Sequence, residues 1–226
     1  MEQKLEEMGA FFDARSEDYD VVHPGHIGGL ESKRVPARYL PEQCATLLDL
    51  GIGTGLELES IFARFPNLTV TGVDLSGEML RLLRKKYPGK ALDLHQMSYF
   101  DYDMGEGRFD AALTVMTLHH YTHEVKTDLY RRILKALKPG GVYIESDYMI
   151  PEGATEDPQA TEDFFFAEYE RLKREQGLEQ GKEYHYDTPC TVENQKKMLR
   201  NAGFSQVEQV WQEDSTVVLV ARKPEN

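Results

Sequence analysis

Three glycines and one aspartate have the types and the spacing of a nucleoside-binding loop. The segment Asp49–Gly55 reads DLGIGTG and follows an apolar run, and Asp74 comes 19 residues after its last glycine. Glycines allow a tight turn and let backbone amides approach a ligand closely. A carboxylate at this distance can accept hydrogen bonds from ribose hydroxyls. We therefore expect the loop and Asp74 to bind the nucleoside part of a cofactor, through Gly51, Gly53 and Gly55.

The spacing within this loop argues against two common classes of nucleotide site. The dinucleotide fingerprint G-x-G-x-x-G needs its third glycine at position 56, where the chain has Leu56. The phosphate-binding loop G-x-x-x-x-G-K-[ST] is absent, because no lysine follows Gly55. A dehydrogenase therefore remains only as an alternative, and nucleotide hydrolysis is disfavoured.

Two adjacent histidines could act on a substrate. Imidazole titrates near neutrality, so His119 or His120 could be a general base or could position a substrate. The alternative is a loop histidine bonded to the backbone. His123 lies one helical turn after His119, but no cysteine or clustered carboxylate completes a metal site there, and we expect no metal.

A second cluster lies late in the chain, where Glu183–Cys190 reads EYHYDTPC. Tyr184, His185, Tyr186 and Asp187 combine apolar walls with polar anchors, which is typical of a substrate pocket. We expect these four residues to bind substrate, with a simple turn before a helix as the alternative.

Alternating strands and helices must position these groups. Such alternation indicates βαβ units and a parallel sheet. The predicted strands are Thr46–Leu50, Leu68–Val73, Ala91–Met97, Phe109–Met116 and Val142–Ser146. The predicted helices are Leu56–Phe65, one capped by Ser76, and Thr122–Leu137, which is followed by a turn at Lys138–Gly141. The chain then predicts a helix at Thr191–Asn201 and an antiparallel edge hairpin, Phe204–Trp211 with Thr216–Arg222.

Two regions lie outside this alternation. Residues 1–40 contain a helix and then a Gly/Pro-rich stretch, His23–Leu30. Residues 150–190 contain a helix at Gln159–Gln176. We expect 1–40 to be a helical cap segment and 41–226 to be the main domain, with 150–190 as a lid over the substrate site.

Composition limits the partners. Lys and Arg total 26 against 39 Asp and Glu, a net charge of −13 over 226 residues, which disfavours nucleic acid. Two cysteines cannot form a disulfide framework, and no apolar run reaches the length of a membrane span. We expect a cytoplasmic monomer or homodimer with a small-molecule substrate and no membrane partner.

The chain resembles the class I S-adenosylmethionine-dependent methyltransferases in four motifs. These are LLDLGIGTG (Leu47–Gly55), GVDLS (Gly72–Ser76), FDAALTVMTLHH (Phe109–His120) and LKPGGVYIESD (Leu137–Asp147). The resemblance implies an α/β, Rossmann-like, doubly wound seven-stranded sheet, mostly parallel with the last strand antiparallel, plus helical lid elements. It also implies S-adenosylmethionine as methyl donor and S-adenosylhomocysteine as product.

The resemblance assigns cofactor contacts to individual residues. Asp49 would orient the glycine loop, which would face the methionine part of the cofactor. Asp74 would hold the ribose, and Leu75 would pack beside the adenine. Ser98 stands where the family usually has an acid that accepts from the adenine amino group, and Tyr99 could stack on the base.

The resemblance also bears on catalysis. In similar small-molecule methyltransferases an N-terminal segment folds over the cofactor with an aromatic near the methyl group, which makes Tyr19 a catalytic candidate beside His119 and His120. Methyl transfer is an in-line displacement from an activated donor, so the protein mainly aligns the reactants and excludes water. We expect transfer to a small molecule. The alternatives are RNA or protein methylation on the same fold, or a non-catalytic S-adenosylmethionine-binding module.

Overall fold

A seven-stranded sheet runs through the centre of the computed structural model, which describes residues 4–22, 29–179 and 182–225. Its strands are, in chain order, β1 (Thr46–Leu50), β2 (Thr69–Asp74), β3 (Ala91–Gln96), β4 (Phe109–Val115), β5 (Leu137–Tyr148), β6 (Ser205–Glu213) and β7 (Thr216–Arg222). The strand order is β3-β2-β1-β4-β5-β7-β6. The pairs β5–β7 and β7–β6 are antiparallel, and the other four pairs are parallel, so that β7 runs opposite to the other strands. The predicted fold class and edge hairpin are confirmed.

Helices cover both faces of the sheet. Their bounds are α1 (Met8–Asp13), α2 (Tyr19–Val22), α3 (Glu31–Tyr39), α4 (Leu58–Arg64), α5 (Gly77–Lys86), α6 (His123–Ala136), α7 (Pro158–Glu175) and α8 (Val192–Ala202). The Ser76 side chain caps α5 by accepting from the Met79 N–H. Thr191 caps α8 in the same way, by accepting from the Asn194 N–H. The cap at Ser76 matches the sequence-based expectation, because a hydroxyl satisfies an amide that has no partner inside the helix.

Two apolar cores sandwich the sheet. One packs α6 and α8 on the sheet, with Tyr130 and Ile133 fully buried. The other packs α3, α4 and α5 on the opposite face, where Val35 and Ile61 are buried. Within the described part of the predicted cap segment, α3 packs in this second core with its first turn beside Ser146 of β5, and α1 and α2 line the cleft at the carboxyl ends of the strands.

One predicted boundary is wrong. Lys138–Gly141 was expected to be a turn before the fifth strand, but these residues form the irregular start of β5. The pairing of β5 with β4 shifts register there, and Gly140 has a φ of 71°. Most of the Gly/Pro-rich stretch, residues 23–28, lies outside the described residues.

The N-terminal segment pairs with the late cluster. The Met8 N–H donates to the Glu183 carbonyl, and the His185 N–H donates to the Glu6 carbonyl, both over 2.9 Å. Leu5 also packs against Tyr169 on α7. The two regions outside the βαβ alternation therefore form one connected layer. None of the described helices has both the length and the apolar character that crossing a bilayer requires.

Candidate active site

The glycine loop forms the turn between β1 and α4. Gly51 and Gly53 adopt left-handed backbone conformations, with φ of 73° and 52°. A Cβ on Gly51 would collide with the Thr117 side chain, whereas a Cβ on Gly53 would meet nothing within 4 Å. Gly55 differs, because a Cβ there would crowd the side chains of Leu58 and Leu83 in the core. Gly53 thus presents its backbone to open space, Gly51 allows the close approach of Thr117, and Gly55 allows the packing of Leu58 and Leu83.

Asp74 lies across from this loop at the end of β2. Its Oδ2 accepts from the Gly53 N–H over 2.7 Å, and its Oδ1 accepts from the Ser76 N–H over 2.8 Å. Burial raises the pKa of Asp74 to about 6, although the N–H groups of Ser76 and Gly53 oppose that rise. The carboxylate is therefore fixed in one orientation by both neighbouring turns.

A pair of buried acids lies beneath the loop. Burial and the nearby Glu57 raise the pKa of Asp49 well above its usual range. Burial also raises the pKa of Glu57 to about 7, against the opposing charges of Lys86 and Lys33. The pair therefore holds a proton near neutral pH, which limits the negative charge under the loop.

A cleft lies over Gly51, Gly53 and Asp74, and we call it the glycine-loop cleft. Its remaining walls are Met8, Phe12, Tyr19, Leu75, Met79, Tyr99, Val115, Met116, Thr117, His120 and Tyr121. Its free volume is about 60 Å³, whereas pockets for drug-sized molecules have roughly 300–1,000 Å³. Because α1 and α2 supply one wall, a nucleoside-sized ligand can enter only if this segment moves outward.

A second, larger cavity of about 570 Å³ lies beside it, and we call it the imidazole pocket. Its lining includes Phe11, Arg15, His119 and His185. The Phe11 and His185 rings stack with centroids 3.6 Å apart and planes 8° from parallel. The two cavities share a wall, which consists of Phe12, Tyr19, Met116 and His120.

The two histidines occupy a 3₁₀ turn, Leu118–His120, directly after β4. His119 Nδ1 bonds to Oδ1 of the buried Asp147 at the end of β5. Burial lowers the pKa of His119, but the charge and hydrogen bond of Asp147 outweigh it, so that the pKa lies above its usual value. His120 Nδ1 bonds to the Tyr186 carbonyl over 3.0 Å. Burial, with His119 and His185 beside it, holds the pKa of His120 far below the usual range.

Comparison with known proteins identifies the domain that carries this geometry. Residues 47–141 match the family model described as "Methyltransferase domain". This match covers 95 of the 226 residues and shows that the chain contains a methyltransferase domain. The matched residues contain β1, the glycine loop, Asp74 and both histidines, so the methyltransferase domain includes most of the cleft.

Three relatives illustrate the range of the similarity. The chain is 27% identical over 202 residues to a carboxy-S-adenosyl-L-methionine synthase of Wolinella succinogenes, covering 82% of this chain and 79% of that protein. It is 29% identical over 147 residues to dTDP-3-amino-3,6-dideoxy-alpha-D-glucopyranose N,N-dimethyltransferase of Streptomyces fradiae, covering 62% of this chain and 55% of that protein. The fold matches human N-acetylserotonin methyltransferase in complex with S-adenosylmethionine, with a TM-score of 0.64, 18% identity, and coverage of 95% of this chain. The chain spans only 55% of that solved structure.

The glycine-loop cleft fits the methyltransferase cofactor in its chemistry. Nothing lies within 4 Å of the position that a Cβ on Gly53 would occupy, so the backbone there would be open to the methionine part. Asp74 would accept from the ribose hydroxyls, and Leu75 and Tyr99 line the same cleft for the base. Asp49 is buried and does not line the cleft.

The other predicted site residues fall into two groups. Tyr19, His119 and His120 line the cavities described above, and His185 lines the imidazole pocket. Ser98 instead faces a neighbouring cavity, where its Oγ donates to Glu183 Oε1 over 2.5 Å. The side chains of Tyr184 and Tyr186 pack with Tyr169. Asp187 is half exposed and lies beside both histidines.

Sequence analysis missed two contributors to the site. Asp147, the last residue of the motif LKPGGVYIESD, holds His119 from the end of β5. Its position at the carboxyl end of a central strand was the available signal. Met116 forms part of the shared wall with a φ of 51°, which is unusual for a residue with a side chain. No sequence pattern indicates that conformation.

Proposed function

We propose that this methyltransferase transfers a methyl group from S-adenosylmethionine to a small molecule held in the imidazole pocket. The wall shared by the two cavities carries this proposal. A donor in the glycine-loop cleft and an acceptor in the imidazole pocket would both contact this wall. Its side chains are those of Phe12, Tyr19, Met116 and His120. A methyl group can cross only where the two sites touch, because in-line displacement needs the reacting atoms in near contact.

The residues of the shared wall would align the reactants and keep water out. When bound, S-adenosylmethionine supplies a methyl group already activated on a sulfonium. Phe12, Tyr19 and Met116 would exclude water from that group. His119 and His120 would hold the nucleophilic atom of the acceptor toward the shared wall. They lie on a short turn anchored by Asp147 and by the Tyr186 carbonyl.

The pocket indicates the chemistry of the acceptor. Phe11 and Phe12 provide flat apolar contact, and Arg15, His119 and His185 provide polar groups. This combination suits a planar or partly aromatic molecule that carries an ionisable oxygen or nitrogen. The net charge of −13 disfavours RNA as the acceptor.

Synthesis of a carboxylated S-adenosylmethionine is the second candidate, since the Wolinella succinogenes relative is named for it. A carboxylate beside the sulfonium would require a cationic partner. Among the described residues, those lining the glycine-loop cleft include no lysine or arginine, and Arg15 of the adjoining imidazole pocket is a candidate for that role. Analysis of the products must therefore separate the two candidates.

Mass spectrometry of the products tests both candidates. Purified protein is incubated with S-adenosylmethionine and a panel of small phenols, amines and carboxylic acids. We expect S-adenosylhomocysteine together with one methylated acceptor. A carboxylated sulfonium product would favour the second candidate. Absence of turnover across the panel and across a metabolite extract would contradict both.

The Phe11→Ala variant tests the site, because it removes acceptor contact without touching the glycine loop. We expect its acceptor KM to rise and its cofactor affinity to stay unchanged.

A further inference from the structure

Two histidines and an aspartate from distant parts of the chain meet beside the imidazole pocket. One ring nitrogen each from His119 and His120 and one carboxylate oxygen of Asp187 lie within 4.8 Å of one another. We propose that these three residues, here called the histidine cluster, bind a divalent first-row transition-metal cation such as Zn²⁺ or Fe²⁺. Two imidazoles and one carboxylate are a ligand set that suits these ions.

The distances within the histidine cluster are those of ligands around a cation. Asp187 Oδ1 lies 3.6 Å from His119 Nε2 and 3.4 Å from His120 Nδ1. Ligands about 2.1 Å from one tetrahedral cation are roughly 3.4 Å apart. Hydrogen bonds from nitrogen to oxygen span only about 2.7–3.2 Å. The side chains therefore converge at ion-pair distances that are longer than hydrogen bonds, and a shared cation fits this spacing.

The surroundings of His119 match those of a metal-binding histidine. Such histidines usually donate their second ring N–H to a carboxylate or a backbone carbonyl. His119 uses Nδ1 for Asp147, which leaves Nε2 toward Asp187. His120 Nδ1 lies 3.4 Å from Asp187 Oδ1 and 3.0 Å from the Tyr186 carbonyl, so that binding a cation through Nδ1 would replace its bond to that carbonyl. Asp147 is itself held by the N–H groups of Leu118 and Tyr148, each over 2.8 Å.

Burial and exposure leave room for a substrate on the cation. His119 and His120 are 7% and 4% exposed, whereas the Asp187 side chain is 47% exposed. Three protein ligands on one side leave coordination positions facing the pocket, as in catalytic metal sites. If the proposed function holds, the cation would bind an acceptor oxygen and lower its pKa, so that the nucleophile arrives deprotonated. Metal binding itself does not depend on that function.

A neighbouring group, His123 with Glu162 and Cys190, is the main competitor. There the buried ammonium of Lys126 donates to Cys190 Sγ over 3.1 Å, and Glu162 accepts from the Thr191 N–H. The positive charge of Lys126 beside the sulfur opposes a second cation. The histidine cluster departs from the sequence-based expectation of no metal because Asp187 lies far along the chain and only the fold brings it to His119.

Cobalt binding tests the proposal without any donor or acceptor. Protein stripped with a chelator is titrated with Co²⁺ and followed by visible absorption, and Zn²⁺ is then used in competition. We expect one equivalent to bind. The Asp187→Asn variant should weaken binding at least tenfold. His119→Gln should abolish binding, and Asp147→Asn should weaken it by about tenfold or more. The control His123→Asn removes an imidazole outside the cluster and should bind like the unaltered protein.

The outcomes separate this proposal from its rivals. No saturable absorption with Co²⁺, or unchanged affinity in Asp187→Asn, would overturn it. A sulfur-to-cobalt charge-transfer band that disappears in His123→Asn would place the cation at the competing group instead. Asp187 is half exposed, so its variant should fold, and circular dichroism verifies this. Formation of S-adenosylhomocysteine is measured separately, so that failure of methyl transfer with intact cobalt binding would remove the proposed function alone.

Discussion

The backbone N–H of Gly53 donates to Oδ2 of Asp74 over 2.7 Å, and this bond joins the turn after β1 to the end of β2. The two parts of the predicted cofactor site are thus connected directly. The carboxylate that would hold the ribose also fixes the backbone that would face the methionine part. Changing Asp74 should therefore affect both contacts.

Asp74→Asn should weaken S-adenosylmethionine binding by roughly 1–3 kcal/mol, the range for hydrogen bonds to charged groups. The amide provides one oxygen where the carboxylate provides two. Isothermal titration calorimetry with S-adenosylhomocysteine measures the loss. The matched control is Asp101→Asn, an exposed acid that does not line the cleft. Equal affinities for the Asp74→Asn variant and the unaltered protein would remove the assigned role of Asp74.

Alanine at two glycines of the same loop should give opposite results. Gly51→Ala creates a collision with Thr117 and should destabilise the fold by about 1–3 kcal/mol. The new Cβ of Gly53→Ala meets nothing within 4 Å. The free energy of unfolding should therefore fall by only about 1 kcal/mol, because alanine is strained in the left-handed backbone conformation of this position. Cofactor affinity should nevertheless fall, because the methyl group occupies the cleft.

Thermal unfolding and calorimetry together check this pair. The double variant Gly51→Ala/Thr117→Ala should recover part of the lost stability, since it removes the colliding atoms. If Gly53→Ala bound S-adenosylhomocysteine as tightly as the unaltered protein, the cofactor would not contact that part of the loop.

The buried acids below the loop predict a pH dependence of stability. Glu57 has an ordinary pKa of 4.5 and a folded-state pKa of about 7. Between these values the folded chain binds more protons than the unfolded chain, so the free energy of unfolding should fall as pH rises from 4.5 to 7. Glu57 alone would contribute a slope on the order of 1 kcal/mol per pH unit.

Urea denaturation at several pH values measures this slope. Glu57→Gln cannot ionise, and its profile should be flatter across that window. Glu59→Gln, an exposed acid on the same helix, is the control and should retain the slope. A profile that is identical in all three proteins would contradict the assignment of this titration to Glu57.

The sequence predicted the sheet well because its signals are local. Each signal acts over a few residues, as the glycine loop, the Ser76 cap and the short apolar runs do. The strands predicted from the apolar runs begin and end within two residues of their observed bounds, except β5. Asp74 was located in the same way, from its distance to the loop. The start of β5 was mispredicted because Pro139 and two glycines usually end a regular element, whereas pairing with β4 extends the strand through them.

The rest of the site could not be predicted because it depends on contacts between distant segments. Glu183 receives Ser98 from the loop after β3, which diverts that serine from the cleft. Tyr186 contributes its carbonyl to His120 rather than its ring to the pocket. Both contacts join residues more than 60 positions apart, and no periodicity or motif encodes them.

Cofactor binding should reorganise the N-terminal segment. The cleft has only about 60 Å³ free, and α1 and α2 form one of its walls. Hydrogen exchange of the amides of residues 8–22 should therefore change when S-adenosylhomocysteine is added, with exchange slowed once the segment closes on the ligand. The amides of α8 provide an internal reference. Unchanged exchange in 8–22 at saturating ligand would show that the segment takes no part in binding.

The shared wall has a kinetic consequence. Phe12 and Tyr19 belong to the segment that must move for the cofactor to enter, and the same two side chains enclose the imidazole pocket. The imidazole pocket is therefore fully enclosed only after the cofactor has entered the glycine-loop cleft and the N-terminal segment has closed over it. Steady-state analysis should show a compulsory order, in which the nucleoside associates first and dissociates last.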